Sequence, residues 1–522
     1  MSRSRGAVVF DYQGKATHMD TTQATTECKQ HQFEFQGLGS RRVGADFSGG
    51  YLSSDGGSLL LREAEHRQGL CRELAACFSD HRDPDLVEHP LEVKLRQRIL
   101  GLALGYEDLN DHEQLRHDPL LAAACGQADV LGQQRRLPED RGKALAGKST
   151  LNRLELGAQD APSRLRRIQP HAQRIEALLL KHGVSAIPRR SQVIVLDFDA
   201  TDVPLHGHQE GRFYHGYYRN YCYLPLYCFC GDIALWAQLR TADRDASDGT
   251  LEALQTIVAA IRERFGRQTV IIVRGDSGFC RDELMSWIEA QERVHYVFGL
   301  ARNPRLQELL LPSFWETAAL LDKEAVDKAK AAAAPATQAT PPPPVEGTAR
   351  VFAELRYRTL KSWSVERRVI GKAEITTGKH NPRFIVTDLT GQEPWAAGQA
   401  CFKDGRGLYE EFYCARGGME NCIKEQQLDL FAGRTSTAHL SSNQLRLWFC
   451  AFAHLLMGRL RAGALQGTRL AQATVGTIRL RLLKIAAQVS VSVRRIHVRL
   501  CNAYPMQEVF ARAHLALRMP EV

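Results

Sequence analysis

The sequence predicts an α/β protein: a strand-rich centre flanked by helical regions at both ends. Three observations carry that reading. Up to about residue 190 apolar residues recur at helical spacing, as in EVKLRQRILGLALG (92–105). At residue 193 the pattern changes to short apolar runs bounded by turn residues, and from there strands and helices alternate. With 522 residues and 44% hydrophobic content the chain can bury several cores, and length alone suggests about three or four domains.

Residues 1–45 are polar and unperiodic. SSDGGSLLLREAEH (53–66) then opens a helical stretch with an Asp/Gly-rich start. In KSTLNRLELG (148–157), Ser149 or Thr150 can cap a helix with Arg153 on its first turns. Such a helix either begins a DNA contact or is simply a capped helix.

From residue 193, VIVLDFDATD reads as a buried strand ending in acids. YCYLPLYCFCG and IALWAQLR follow as two more strands, GTLEALQTIVAAIRERFG as a helix and TVIIVRGDSGF as a fourth strand ending in acid. RDELMSWIEAQ is a helix and HYVFGLA a strand. Three strands, helix, strand, helix, strand is the order of a ribonuclease H-like core. In that fold the first and fourth strands are neighbours, so Asp199 and Asp276 at their ends can converge on one cation. Asp197 shares the strand face of Asp199 and is the competing candidate, with the Asp-x-Thr pattern favouring Asp199. Asp202 reads as a turn residue.

The 144 positions from Asp276 to Glu420 exceed what one strand-to-helix connection needs, so an insertion is expected. ARVFAELRYRTLKSWSVERRVIGKAEI and RFIVTDLT read as its strands, and the Ala/Pro run at 328–347 as a flexible loop.

In FYCARGGMENCIKE (412–425), Tyr413, Arg416, Glu420 and Lys424 are spaced three, four and four residues apart. On a regular helix they share an arc of about 80°, bordered by Phe412, Met419, Ile423 and Leu430. A carboxylate flanked by two cations beside a buried edge suggests chemistry on an anion; a solvated face with i, i+4 ion pairs is the plainer alternative. Gly417 and Gly418 either weaken this helix or admit another backbone.

The net charge is +9, yet Phe431 to Gln507 alone carries eleven Lys and Arg with no acid, which leaves the rest of the chain at −2. Arg479, Arg481, Arg494 and Arg495 in this stretch suit phosphate contacts, which points to nucleic acid. Packing of a basic segment on an acidic neighbour would produce the same composition. Eight aromatics from Phe213 to Phe229 are interleaved with Arg212, His215 and Arg219, and either stack on unpaired bases or pair across a hairpin. His206 and His208 read as turn residues. The start lacks the apolar core of a secretory leader, and LWFCAFAHLLMG (447–458) is too short to span a bilayer, which predicts a cytoplasmic protein. Thirteen cysteines without paired CxxC spacing predict neither disulfides nor structural zinc.

Asp199 followed by Thr201, RGDSGF around Asp276, and Tyr413-x2-Arg416-x3-Glu420 together resemble the acidic motifs of DDE-type bacterial insertion-sequence transposases. The signature lysine of that superfamily follows the glutamate after six intervening residues. Lys424 follows after three, and ENCIKE is similar to the branch numbered thirteen-eighty. SSDGGSLLLRE, LRQRILGLALGYEDLNDHEQLRHDP and HGHQEG extend the similarity from about Gly49 to about Leu500. The resemblance implies a catalytic, metal-binding set of Asp199, Asp276 and Glu420 holding two Mg²⁺ ions, with Mn²⁺ able to substitute. Asp199 would bridge the ions in an in-line displacement at phosphorus. Tyr413 and Arg416 would hold a phosphate or distorted base; Lys424, Arg479, Arg481, Arg494 and Arg495 complete the expected DNA contacts.

The partners implied are double-stranded DNA at the element's inverted repeats and target DNA, bound by a homodimer, with no small-molecule substrate and a cytoplasmic, nucleoid-associated location. The domains expected are a helical DNA-end-binding region (1–190), the first part of the core (191–310), a β-rich insertion (311–400), the second part with the glutamate helix (401–440) and a basic C-terminal region (441–522). A nuclease that cuts without joining, or a DNA-binding protein without catalysis, are the alternatives.

Overall fold

The computed structural model describes residues 9–10, 16–17, 32–156, 167–332, 340–342 and 344–519. At its centre lies a mixed sheet. Its main strands are β1 (Val193–Ala200), β2 (Leu226–Cys230), β3 (Ile233–Gln238), β4 (Val270–Gly275), β5 (Val294–Leu300), β6 (Thr348–Tyr357), β7 (Arg367–Thr376) and β8 (Arg383–Thr387), with the short Lys379–His380 strand paired to β7. They lie in the order β3-β2-β1-β4-β5-β8-β7-β6. β2 runs antiparallel to β1 and β3, whereas β4 runs parallel to β1 and β5.

Strand alternation decides which side chains meet which layer. Ile194, Leu196 and Phe198 of β1, with Ile271 and Val273 of β4, pack against the Thr250–Phe265 and Asp282–Glu289 helices through Ile257, Ile261, Leu284 and Met285. The opposite parity, Val270 and Ile272, packs with Leu408, Tyr409 and Phe412. Asp197, Asp199, Arg274 and Asp276 continue that second parity. Both acidic strand ends therefore share the face that carries the helical segment of residues 405–429.

Several expectations are revised by this architecture. The inserted strands build no sheet of their own: β8 pairs antiparallel with β5, and β7 and β6 continue outward, so the insertion extends the central sheet. Of the 328–347 run, residues 333–339 and 343 lie outside the described residues, and its start belongs to a helix, Lys323–Ala332, as alanine's helix preference dictates. YCYLPLYCFCG is two strands. Asn220–Tyr223 joins a small sheet with Val203–Pro204 and Phe213–His215, and β2 starts only after Pro225, which has no N–H to donate. The polar N-terminus includes a fully exposed hairpin, Phe33–Leu38 with Arg41–Ala45.

The terminal regions are not separate bodies. Leu440–Ala464 buries Leu445, Phe449, Phe452 and Leu456 in one core with Leu95, Ile99 and Leu102 of the Leu91–Leu104 helix. Tyr51–Ser53 pairs with Ala487–Ser492, which pairs with Arg495–Leu500, so the basic region is partly β. Beside this sheet Asp55 is fully buried, held by Lys484 at 2.7 Å and the Tyr106 hydroxyl at 2.6 Å. A side chain at Gly56 would stand 2.8 Å from the Ile485 carbonyl, so the close approach of the two termini requires glycine there. Among the described residues no helix is long and apolar enough to cross a membrane.

Candidate active site

Asp199 ends β1, and Asp276 caps the short Ser277–Phe279 turn after β4, accepting the Gly278 N–H at 2.8 Å. Glu420 comes from the Gly417–Lys424 helix. All three line one cleft of about 550 Å³, together with Arg416 and Lys424. Of the six residues that the sequence set on one stripe or at strand ends, five, Asp199, Asp276, Arg416, Glu420 and Lys424, thus reach the cleft from two strand ends and one helical segment.

Arg416 stands between two of the carboxylates. Its guanidinium is 3.4 Å from Asp199 Oδ2 and 3.9 Å from Glu420 Oε1. Burial pushes the Asp199 carboxyl up to about 6; Arg416 opposes that shift, and the nearby charges of Asp276 and Glu420 add to it. Asp197 is spent elsewhere. It is 3% exposed and takes both sides of the Arg274 fork, at 2.7 and 2.8 Å, while Arg274 also donates to the Phe412 carbonyl. This buried pair ties β1, β4 and the helical segment together just below the cleft, leaving Asp199 as the acid of the strand that lines the cleft.

Tyr413 does not line the cleft. It packs beside Tyr409 with ring centroids 5.7 Å apart, and a Cβ added at Gly299 of β5 would lie 2.6 Å from its hydroxyl and 2.9 Å from the Ser277 nitrogen. Tyr413 is therefore wedged behind the Asp276 turn, where burial raises its pKa and its hydroxyl meets Arg416. Its geometry suits holding the arginine from below, in place of the expected contact with DNA.

The regular helix assumed for the stripe is also corrected. Leu408–Tyr413 and Glu425–Asp429 are wide π turns, joined by a tight Cys414–Arg416 turn and the Gly417–Lys424 helix. The buried edge accordingly splits: Phe412 belongs to the core under β4 and β7, and Met419, Ile423 and Leu430 to the core around Leu440–Ala464. Gly417 and Gly418 face open space, with no atom within 4 Å of an added Cβ, so they admit no backbone. π turns gather at functional sites because they re-aim side chains that a regular helix would leave in register.

His215, Tyr217 and Tyr218 of the aromatic segment also line the cleft, a placement beside the acids that the sequence did not show. The aromatic density of residues 213–229 was the available signal. The hairpin reading holds for part of the segment, where Tyr214 pairs with Tyr221 across the small sheet; Tyr223, Tyr227 and Phe229 are buried, and Tyr217 is 83% exposed.

The basic C-terminal arginines also divide. Arg479 donates to the carbonyls of Ala103, Leu102 and Asp429, which ends the Leu91–Leu104 helix; it is occupied and half-buried, contrary to a phosphate-gripping role. Arg434 pairs with Glu107 and Asp108, Arg446 with Glu155, and Arg461 with Asp232. Packing on acidic neighbours thus accounts for much of the acid-free composition. Arg481, Arg494 and Arg495 remain exposed, the last two at the tip of the C-terminal hairpin. Gly147, not Ser149 or Thr150, caps the Lys148–Glu155 helix, and Glu113 accepts the Lys148 N–H at 2.7 Å.

The donor chemistry of the cleft suits a divalent cation: three carboxylates, hard oxygens throughout. As the side chains stand, no group of three His, Cys, Asp or Glu among the described residues could hold a metal ion, and Arg416 occupies the ground between Asp199 and Glu420.

Residues 35–521 match the family described as Transposase DDE domain group 1, and the chain belongs to that family. DNA transposition is the activity that membership carries. Among solved structures the chain is similar to one described as "Cryo-EM structure of piggyBac transposase synaptic complex with hairpin DNA (SNHP)". The identity is 10% and the TM-score 0.39, over 90% of this chain and 83% of that one. No curated protein matches.

Proposed function

We propose that this chain cleaves and joins DNA strands at the ends of an insertion sequence, using a ribonuclease H-like core and the cleft of Asp199, Asp276 and Glu420. The observation that carries the proposal is the convergence of these three carboxylates with Arg416 in one cleft. Further support comes from the family match, from the order β3-β2-β1-β4-β5, and from the similarity to the insertion-sequence branch numbered thirteen-eighty.

Asp199, Asp276 and Glu420 would hold Mg²⁺ or Mn²⁺, which when bound activates the attacking oxygen and stabilises the leaving one. Arg416 presents a planar fork at the cleft wall, able to bind two oxygens of one phosphate and hold it in line. If Asp199 and Glu420 held a cation, Arg416 would give up Asp199 and be left with a free fork for the substrate. Tyr413 orients that fork, and Lys424 adds positive charge at the rim. Tyr217 offers an exposed ring on which an unpaired base can stack. Arg481, Arg494 and Arg495 supply contacts to the DNA backbone, the ends being inverted repeats held by a homodimer.

The test is incubation of the purified protein with Mg²⁺ and duplex carrying the inverted repeats that flank its reading frame. Joined products are expected. Cleavage without joining would indicate a nuclease, and a shifted but intact duplex a DNA-binding protein without catalysis.

A further inference from the structure

At the other end of β1 and β4 from the carboxylates, the loops entering these strands surround a second cavity, of about 700 Å³. Its lining includes Arg189, Arg190, Arg264 and Arg293, and no acid. Gln192 and Gln268 add amides, and Arg267 stands exposed beside Gln268. The nearest acids along the chain, Glu263 and Glu292, are exposed and form no ion pair with these arginines among the described residues. Arg264 reaches the Val184 carbonyl and Arg293 the Gln268 carbonyl at 3.3 Å, so both heads are held in place. Arg189, Arg190 and Arg267 are exposed and make no ion pair among the described residues. Burial depresses the Arg264 pKa, and the like charge of Arg189 depresses it further, so positive charge is crowded with nothing set against it.

Crowded guanidinium groups without a carboxylate are an anion site: each fork matches two oxygens of a phosphate, and a row of forks matches a phosphodiester backbone better than a single small anion. β1 has eight residues, which span about 23 Å, so this cavity lies that far from the cleft, on the opposite end of the sheet. We propose that the arginine-lined cavity is a second nucleic-acid site, gripping backbone phosphates of duplex DNA outside the segment in the carboxylate cleft. The inference rests on the reading of the chain as a DNA-processing enzyme, and its test is independent of cleavage. The phosphates can come from the same duplex continuing around the protein or from a second duplex.

The triple variant Arg189→Gln, Arg190→Gln, Arg267→Gln leaves Arg264 and Arg293 at their carbonyls, and its circular dichroism and melting temperature check that it folds. Binding of random 12- and 40-base-pair duplexes, measured by anisotropy across salt concentrations, is expected to show a salt slope lower by about 2 to 3 than that of the parent. Single-turnover cleavage of pre-bound end DNA is expected to be unchanged. In the parent, saturating duplex should protect Arg189 and Arg190 from phenylglyoxal. Protection by the 12-mer at two duplexes per protomer assigns the site to a second duplex; protection only by the 40-mer at one per protomer assigns it to the same one. An unchanged slope with unprotected arginines overturns the proposal, as does protection by polyglutamate but not by duplex, which would indicate an acidic protein partner. If cleavage fails altogether while slope and protection behave as expected, the catalytic reading falls and this site stands.

Discussion

At their C-terminal ends β1 and β4 present Asp199 and Asp276; at their N-terminal starts the same strands leave loops carrying Arg189, Arg190 and Arg267. The acidic end is assembled within the fold: Asp199 is 15% exposed in its side chain, its acidity is altered by its neighbours, and Arg416 is held against it. The basic end is open and built from long side chains on separate loops. The contrast separates two kinds of charge. Charge proposed to do chemistry is costly to hold, because burial and like neighbours oppose it, whereas charge proposed to grip a polyanion stays solvated and contributes through number.

The largest effect expected at the acidic end is loss of cleavage. Asp199→Asn and Glu420→Gln should each lower strand cleavage by about 1000-fold while keeping duplex affinity within twofold, since each would lose a proposed metal-ligand charge with little change of shape. Gel quantification of single-turnover products checks this, and near-parent cleavage by either variant removes that residue from the site.

Arg416→Lys comes next, at about 100-fold slower cleavage with normal folding, because lysine supplies the charge without the planar fork. A solvated ion-pairing arginine would tolerate the change, so parent-like rates would reduce the stripe to an ordinary surface.

The C-terminal arginines sharpen the comparison by dividing along the same line. Arg479→Gln should cost about 1–3 kcal/mol in stability, by leaving helix-end carbonyls unpaired, with the salt slope of DNA binding unchanged. Replacing Arg481, Arg494 and Arg495 together by Gln should do the reverse: little change in melting, and a salt slope lower by about 2 to 3. Denaturant melts and salt titrations of both variants decide it.

The smallest effect is a gain. Burial raises the folded-state pKa of Asp199 from the ordinary carboxylate range to about 6, so its ionisation favours the unfolded chain and its cost is fully present above about pH 6. Asp199→Asn should therefore stabilise the metal-free protein by on the order of 2 kcal/mol at pH 8, with the gain fading between about pH 6 and pH 4 and absent below. Equal stability of variant and parent at pH 8 would contradict the strain at this site.

Much of the cleft was legible because its signals are contiguous. Asp199 and Asp276 each stand at the end of a short, mostly apolar strand run, and Glu420 sits in a spaced motif; the alternation of β1 and β4 then brings the two aspartates to one face. What was not legible depends on distant partners. Nothing near Arg479 reveals that its guanidinium ends a helix at Ala103, 376 residues away, and nothing in RFIVTDLT reveals that it pairs with β5 instead of closing a separate domain. In sequence only the Asp-x-Thr pattern separates Asp199 from Asp197; that Asp197 is taken up by a buried pair depends on Arg274 of the neighbouring strand. The helical wheel misjudged Tyr413, because wide turns on either side of Arg416 break the period that the wheel assumes.

The most direct measurement compares the parent with Asp276→Asn on one end-labelled duplex carrying the flanking inverted repeat, with Mg²⁺, reading strand cleavage and bound fraction in the same samples. The account predicts equal binding by both proteins and cleavage by the parent alone. Cleavage by the variant at the parent's rate, with equal binding, would contradict the assignment of this cleft as the catalytic centre.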